Sequence, residues 1–258
     1  SAVAGHMALA ALGTDTGGSI RQPASHCGLV GFKPTYGAVS RNGLIALGSS
    51  LDQAGPLTKS VADARILFET MRGPDAYDAT TIQADTYPKK ELPKKFRIGV
   101  PRHLLTSGVD ADVLEHFNTT LSKLESEGHS VVEVSLPTSP YALPAYYVVM
   151  PAEASTNLAR YDGIRYGLAS RGATLLEDYT ESRTEGFGKE TKRRILLGTF
   201  VLSSGYIDAY YRKAEATRAL LRAEYDVAFE LCDVIAFPTT PSPAFTFGSN
   251  SDPVSMSL

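Results

Sequence analysis

A strand, a helix and a second strand follow one another between Phe96 and Leu136, and no other stretch of the chain limits its possible folds so tightly. Phe96-Arg97-Ile98-Gly99-Val100 is a short apolar run closed by Pro101. Asp110 to Glu127 sets Leu114, Phe117, Leu121 and Leu124 at spacings of three and four, which is one face of a helix. Gly128 suits the helix stop, and Val131 to Leu136 returns as a strand. Two parallel strands need a crossover of this length, so the pattern predicts an α/β fold containing a parallel pair. Asp233 to Pro238 reads as another buried strand, again ended by proline.

The remaining elements are read from the same periodicities. Val61, Ala64, Leu67 and Phe68 share a helical face, with Ser60 as the N-cap. Further helices are expected over Pro151 to Tyr161, Gly188 to Leu202 and Ser204 to Cys232, the last carrying the alternating charges of a solvated face. Pro74 to Lys95 is a polar, proline-punctuated connection. Ala8 to Gly55 is rich in Gly, Ser and Thr yet interrupted by apolar residues. Such a segment forms tight turns and brings backbone N–H groups close to a ligand.

Composition narrows the partners. The net charge of −3 lacks the basic excess by which a chain grips nucleic acid on its own, so any RNA contact is expected through another subunit. No apolar run reaches the roughly 18 residues of a membrane span. Ser1 to Leu12 lacks the basic start of a signal peptide. Cys27 and Cys232 lie far apart in apolar surroundings. They are read as buried free thiols, with neither a disulfide framework nor a metal site, in a reducing compartment.

The run Gly13-Thr14-Asp15-Thr16-Gly17-Gly18-Ser19-Ile20-Arg21-Gln22-Pro23 carries the chemistry. Two glycines ahead of a serine let successive N–H groups turn inward beside its hydroxyl, the arrangement acyl transfer needs. The same spacing also serves ordinary structural turns. Asp15-Thr16-Gly17 matches the aspartic-protease triplet, but that chemistry needs a second such triplet and the chain has none. No phosphate-binding loop pattern is present. A serine needs a base, and the residues leave it open. Of His6, His26, His103, His116 and His129 only His26 lies near in sequence, and Lys33 sits in what reads as a packed turn.

Gly13 to Pro23, followed by Cys27-Gly28-Leu29-Val30-Gly31-Phe32-Lys33-Pro34-Thr35-Tyr36-Gly37, resembles the amidase signature family. Val39-Ser40-Arg41, Gly43-Leu44, Ser49 to Gln53 and Gly55-Pro56 are similar to the glutaminase subunits of tRNA-dependent amidotransferases within it. So are Ala152 to Ser155, Asn157 to Gly163, Gly186 to Glu190 and Lys192 to Thr199.

The resemblance implies a single α/β/α amidase-signature domain over residues 1–258, built around a large mixed sheet and incomplete at both ends. It implies a Ser–cisSer–Lys mechanism with Ser19 as nucleophile and the N–H groups of Thr16, Gly17, Gly18 and Ser19 as oxyanion hole. Glutamine is the implied substrate and ammonia the product, for transamidation of Glu-tRNA(Gln) or Asp-tRNA(Asn). Arg194, with Arg193 as fallback, is implied to hold the substrate carboxylate, and Tyr146, or else Tyr147, to line the site. No metal or cofactor is implied in this chain. ATP and Mg²⁺ belong to the partner B subunit, a small C subunit completes the complex, and tRNA is met only through those partners. A cytoplasmic or organellar-matrix location follows.

The departures count equally. The family's bridging cis-serine and lysine base lie upstream of Ser1. An acidic residue for the substrate amino group is expected beyond Leu258, Asp252 aligning elsewhere, and Gly5-His6-Met7 fits the pattern poorly. The chain alone is therefore expected to have little or no glutaminase activity. A non-catalytic, partner-binding scaffold of the same fold and a stand-alone small-amide amidase are the alternatives.

Overall fold

In a computed structural model, residues 1–83, 86 and 91–249 are described. Asp252, Met256 and Leu258 lie outside them, as does part of the Pro74 to Lys95 connection. The chain divides into two compact units. One comprises Ser1–Gly43, Gln53–Pro140 and the stretch from Ala219 onward; the other comprises Leu44–Asp52 and Tyr141–Arg218.

The first unit holds both sheets. β4 (Arg97–Val100), α3 (Ala111–Ser126) and β5 (Ser130–Glu133) form the expected parallel crossover, with Ile98 opposite Val131. β6 (Val234–Ile235) adds in parallel on the other edge, giving the order β5-β4-β6. The pleat explains the layers. Ile98 and Val100 point to one face and pack with Leu121, Phe117 and Leu124 of α3. Gly99 points to the other, where a Cβ would stand 2.6 Å from the Cys232 sulfur. There Ala228 and Tyr225 of α7 (Tyr211–Leu231) join Val134 and Leu136. The result is helix, sheet, helix.

The second sheet is antiparallel, β1-β3-β2. β1 (Ala11–Asp15) and β2 (Val30–Gly31) flank β3 (Gln53–Thr58), whose residues are nearly all buried. At the start of β3, Gln53 is fully buried. Its amide is satisfied by the Gly37 N–H and the Val39 carbonyl, at 2.9 and 3.0 Å. The glycine-rich segment thus holds two strands as well as turns, and their short length hid them. α1 (Arg21–His26) follows β1, and α2 (Val61–Met71) starts at Ser60, whose hydroxyl accepts the Asp63 N–H.

The second unit is helical, and two boundaries differ from the sequence expectation. α4 runs Ala142–Asn157, with Pro151 inside it rather than at its start. An interior proline costs about 3 kcal/mol. Here burial of Met150, Pro151, Ala152 and Ala154 offsets that cost. α7 begins at Tyr211, seven residues after Ser204, because turns occupy Ser203 to Tyr210. α5 (Leu175–Gly186) was not anticipated, although Thr174 and Glu177 form a capping box readable as Thr-x-x-Glu. α6 (Lys189–Leu202) follows Gly188 as expected. Cys232 is buried, whereas Cys27 is only half-buried because it caps the short α1; both are free thiols.

Candidate active site

The last residue of β1 organises the turn that follows. Asp15 is fully buried, and its carboxylate accepts the Gly18 N–H at 2.8 Å and the Ile20 N–H at 3.1 Å. Arg21 closes a bidentate pair on it, Nε at 3.1 Å and a terminal nitrogen at 3.0 Å. Burial alone would push the Asp15 carboxyl up. The Arg21 hydrogen bonds, the Ile20 amide, the Arg21 charge and the Gly18 amide outweigh it, holding the group below the usual carboxylate range. Asp15 is therefore an anion locked to a cation, incompatible with a proton-sharing protease dyad. Gly18 needs its lack of a side chain here, since its φ of +132° is strained for any other residue.

Ser19 sits exposed on this turn, between Gly18 and the fully buried Ile20. Of the expected oxyanion donors, Gly18 already gives its N–H to Asp15. The N–H groups of Gly17 and Ser19 have no acceptor among the described residues. Thr16 is half-buried on the same turn. The aspartate that draws the Gly18 amide inward was the feature missed. A carboxylate three residues ahead of a glycine is a readable signal for such a local bond.

Four of the five histidines and Lys33 have other partners. His103 Nε2 accepts the Leu136 N–H, His129 Nδ1 accepts the Phe96 N–H, and His6 contacts Lys59. His26 meets Phe245 edge-on, and His116 is exposed on α3. Lys33 donates to the Pro34 carbonyl at 2.9 Å, as a packed turn requires. Burial and then the Arg21 charge push its ammonium down, with Asp15 opposing.

The second unit carries Tyr146 and Arg194. α4 and α6 approach so closely that a Cβ on Gly198 would stand 1.9 Å from the Pro151 carbonyl oxygen. Leu202, one turn beyond Gly198, lines a cavity with Ala152 and Thr156. Tyr146 precedes Pro151 by five residues and Arg194 precedes Gly198 by four. Tyr146 is half-buried and meets Tyr147 in a T-shaped contact at 5.7 Å.

Glu190 separates the two arginines. Arg193 gives it Nε and a terminal nitrogen, at 2.8 and 2.7 Å. Arg194 gives only Nε, at 2.7 Å, and its terminal nitrogens carry no hydrogen bond among the described residues. The Arg193 hydrogen bonds hold Glu190 below its ordinary range against burial, with the Arg194 charge adding to them. Arg194 thus keeps an open fork for a carboxylate, and Arg193 has spent its own on Glu190. The i, i+3 and i, i+4 spacing of Glu190 to the arginines was the sequence signal for this.

Among the described residues, no group of three His, Cys, Asp or Glu side chains is arranged to hold a metal ion. Nor is any described helix long and apolar enough to cross a membrane.

The amidase family model matches residues 1–258. The A subunit of glutamyl-tRNA(Gln) amidotransferase from Thermodesulfovibrio yellowstonii is 50% identical over 264 residues, covering 100% of this chain and 54% of that protein. The protein of the same name from Staphylococcus carnosus is 52% identical over 262 residues, again covering 54% of it. The crystal structure of the Thermotoga maritima counterpart superposes with a TM-score of 0.77 at 41% identity, over 100% of this chain and 52% of that one. A crystal structure described as an amidase gives 0.73 at 33% identity, over 96% of this chain and 49% of that one. The chain spans about half the length of the relatives it matches.

Proposed function

The chain belongs to the amidase family, and we propose that it supplies the nucleophile turn and the substrate-carboxylate fork of a glutamine-hydrolysing amidotransferase subunit. Its relatives are named as A subunits of glutamyl-tRNA(Gln) amidotransferase, which supports that substrate. Ser19 Oγ attacks the side-chain amide carbon of glutamine. The C–N bond breaks, the nitrogen leaves with a proton as ammonia, and a glutamyl ester remains on Ser19. Water then hydrolyses the ester, giving glutamate and restoring the hydroxyl.

The Gly17 and Ser19 amides are the donors free to meet the developing oxyanion, and Asp15 fixes the turn by holding Gly18 and Ile20. Arg194 takes the α-carboxylate through its two unspent nitrogens, beside Tyr146. One observation carries the reading: an exposed serine stands on a turn whose neighbouring amides are locked by a buried carboxylate, leaving its own N–H unpaired.

The partners in this reading are a B subunit that handles ATP, Mg²⁺ and tRNA, and a small C subunit. Alone, the chain turns over glutamine slowly or not at all, because a Ser–cisSer–Lys mechanism draws its serine bridge and lysine from outside this chain, while Lys33, His103 and His129 are engaged elsewhere. The test is a chimera. Residues 1–258 replace the corresponding half of the Thermodesulfovibrio protein, and ammonia release from glutamine is measured with Ser19 and with Ser19→Ala. Release that depends on Ser19 supports the reading, and release that survives the substitution ends it.

A further inference from the structure

The second unit carries an open cavity of about 190 Å³ that none of the chemistry above uses. Glu153 of α4 lies on its wall. One carboxylate oxygen accepts the Ser50 N–H at 2.9 Å, and the other, Oε1, carries no hydrogen bond among the described residues. A half-buried carboxylate oxygen left open beside a void is an acceptor waiting for a donor. Ser49, Asn157, Thr156 and Tyr211 add polar groups to the same wall, Ser49 and Asn157 already bonded to each other, while Ala152 and Leu202 supply its apolar part.

The local charge decides what the donor is. Burial, then Glu215 and Glu153, push the Tyr211 phenol up, with Arg218 opposing, so it stays a neutral hydroxyl. Glu153 is the one charged residue in the lining, and Arg218 reaches the Ser50 hydroxyl at 3.2 Å, on the residue whose N–H Glu153 accepts. An anion is repelled. A divalent metal wants six or more oxygens with several carboxylates, and Glu153 alone lines the cavity. A monocation with N–H donors and a small apolar body satisfies both the open oxygen and the apolar wall. The volume admits about six heavy atoms, taking roughly 30 Å³ for each.

We propose that this cavity binds a small primary ammonium ion with a short aliphatic stem, its head on Glu153 Oε1 and its stem along Ala152 and Leu202. The head competes with water for Glu153, and the stem gains by leaving water, so affinity rises with stem length until the cavity is full.

The test is calorimetric titration of the 258-residue chain with methylammonium, n-butylammonium, n-butanol and butyrate. The expected result is saturable one-to-one binding of n-butylammonium, tighter than methylammonium, with no saturation by n-butanol or butyrate. Glu153→Gln should weaken it at least tenfold. That variant also touches the Ser50 clamp, so Leu202→Trp, which fills the cavity with a larger side chain, is the second reading and should abolish binding. No saturable binding, equal binding of n-butanol, or binding unchanged by Leu202→Trp overturns the proposal.

Discussion

Arg21 grips the carboxylate of Asp15 with two nitrogens across the turn that presents Ser19, and Asp15 is the only one of the pair out of water. The arginine is 44% exposed on its side chain, so solvent discounts its share; the aspartate is 0% exposed. Losing Asp15 strands the Gly18 and Ile20 amides, at about 1–3 kcal/mol each for a buried donor. Asp15→Ala should therefore destabilise the fold by about 3 kcal/mol or more in urea denaturation. Arg21→Met should cost less, because the two backbone donors still satisfy the carboxylate. A variant pair with the reverse order would refute this division.

Acid should expose the same lock. Asp15 and Asp78 are both held below the ordinary carboxylate range, Asp78 by Thr80 and Arg41 against its burial. The folded state then binds fewer protons than the unfolded one. Their stabilisation is complete above the unfolded value of about 3.9 and is lost as pH falls through the lower folded values. Thermal midpoints measured from pH 7 down to 2.5 should drop steeply below about pH 4. Asp15→Asn should flatten that drop. An equally steep fall in the variant would show that Asp15 does not contribute.

Gly198 lets α6 touch α4. A Cβ there would stand 1.9 Å from the Pro151 carbonyl oxygen and 2.8 Å from the Ser155 hydroxyl. Backbone cannot yield as a flexible side chain can, so Gly198→Ala should cost about 1–3 kcal/mol despite its better helix propensity. Scanning calorimetry gives the sign. A rise in melting temperature would mean that the helices separate freely.

The two arginines beside Glu190 should respond differently. In the chimera, Arg194→Lys replaces an open fork by a point charge, losing about 1.5–3 kcal/mol of carboxylate binding. That is tenfold or more in KM for glutamine, with kcat less affected. Arg193→Lys should change KM less than threefold by the same arithmetic. Equal effects would return Arg193 to the candidate role.

Much of this was legible in the sequence because long periodic elements declare themselves. The β4-α3-β5 crossover follows from Leu114, Phe117, Leu121 and Leu124 and the run at Ile98, and the family resemblance rests on motifs spread from Gly13 to Thr199. What stayed hidden was short or contextual. β1 and β2 have five and two residues, too few to show a period of two inside a glycine-rich segment. Pro151 reads as a helix start because proline is favoured at the first helical position, whereas here it lies inside α4, fully buried, with Gly198 of α6 close to its carbonyl. The Gly18 amide looked like an oxyanion donor by spacing, until the neighbouring carboxylate claimed it.

The most direct test is ammonia release from glutamine by the chimera carrying residues 1–258, with Ser19→Ala beside it and the chain alone as a third sample. The expected result is turnover in the chimera, a loss of about three orders of magnitude or more in Ser19→Ala, and no detectable release from the chain alone. Turnover in Ser19→Ala within about tenfold of the parent would contradict the assignment of Ser19 as nucleophile.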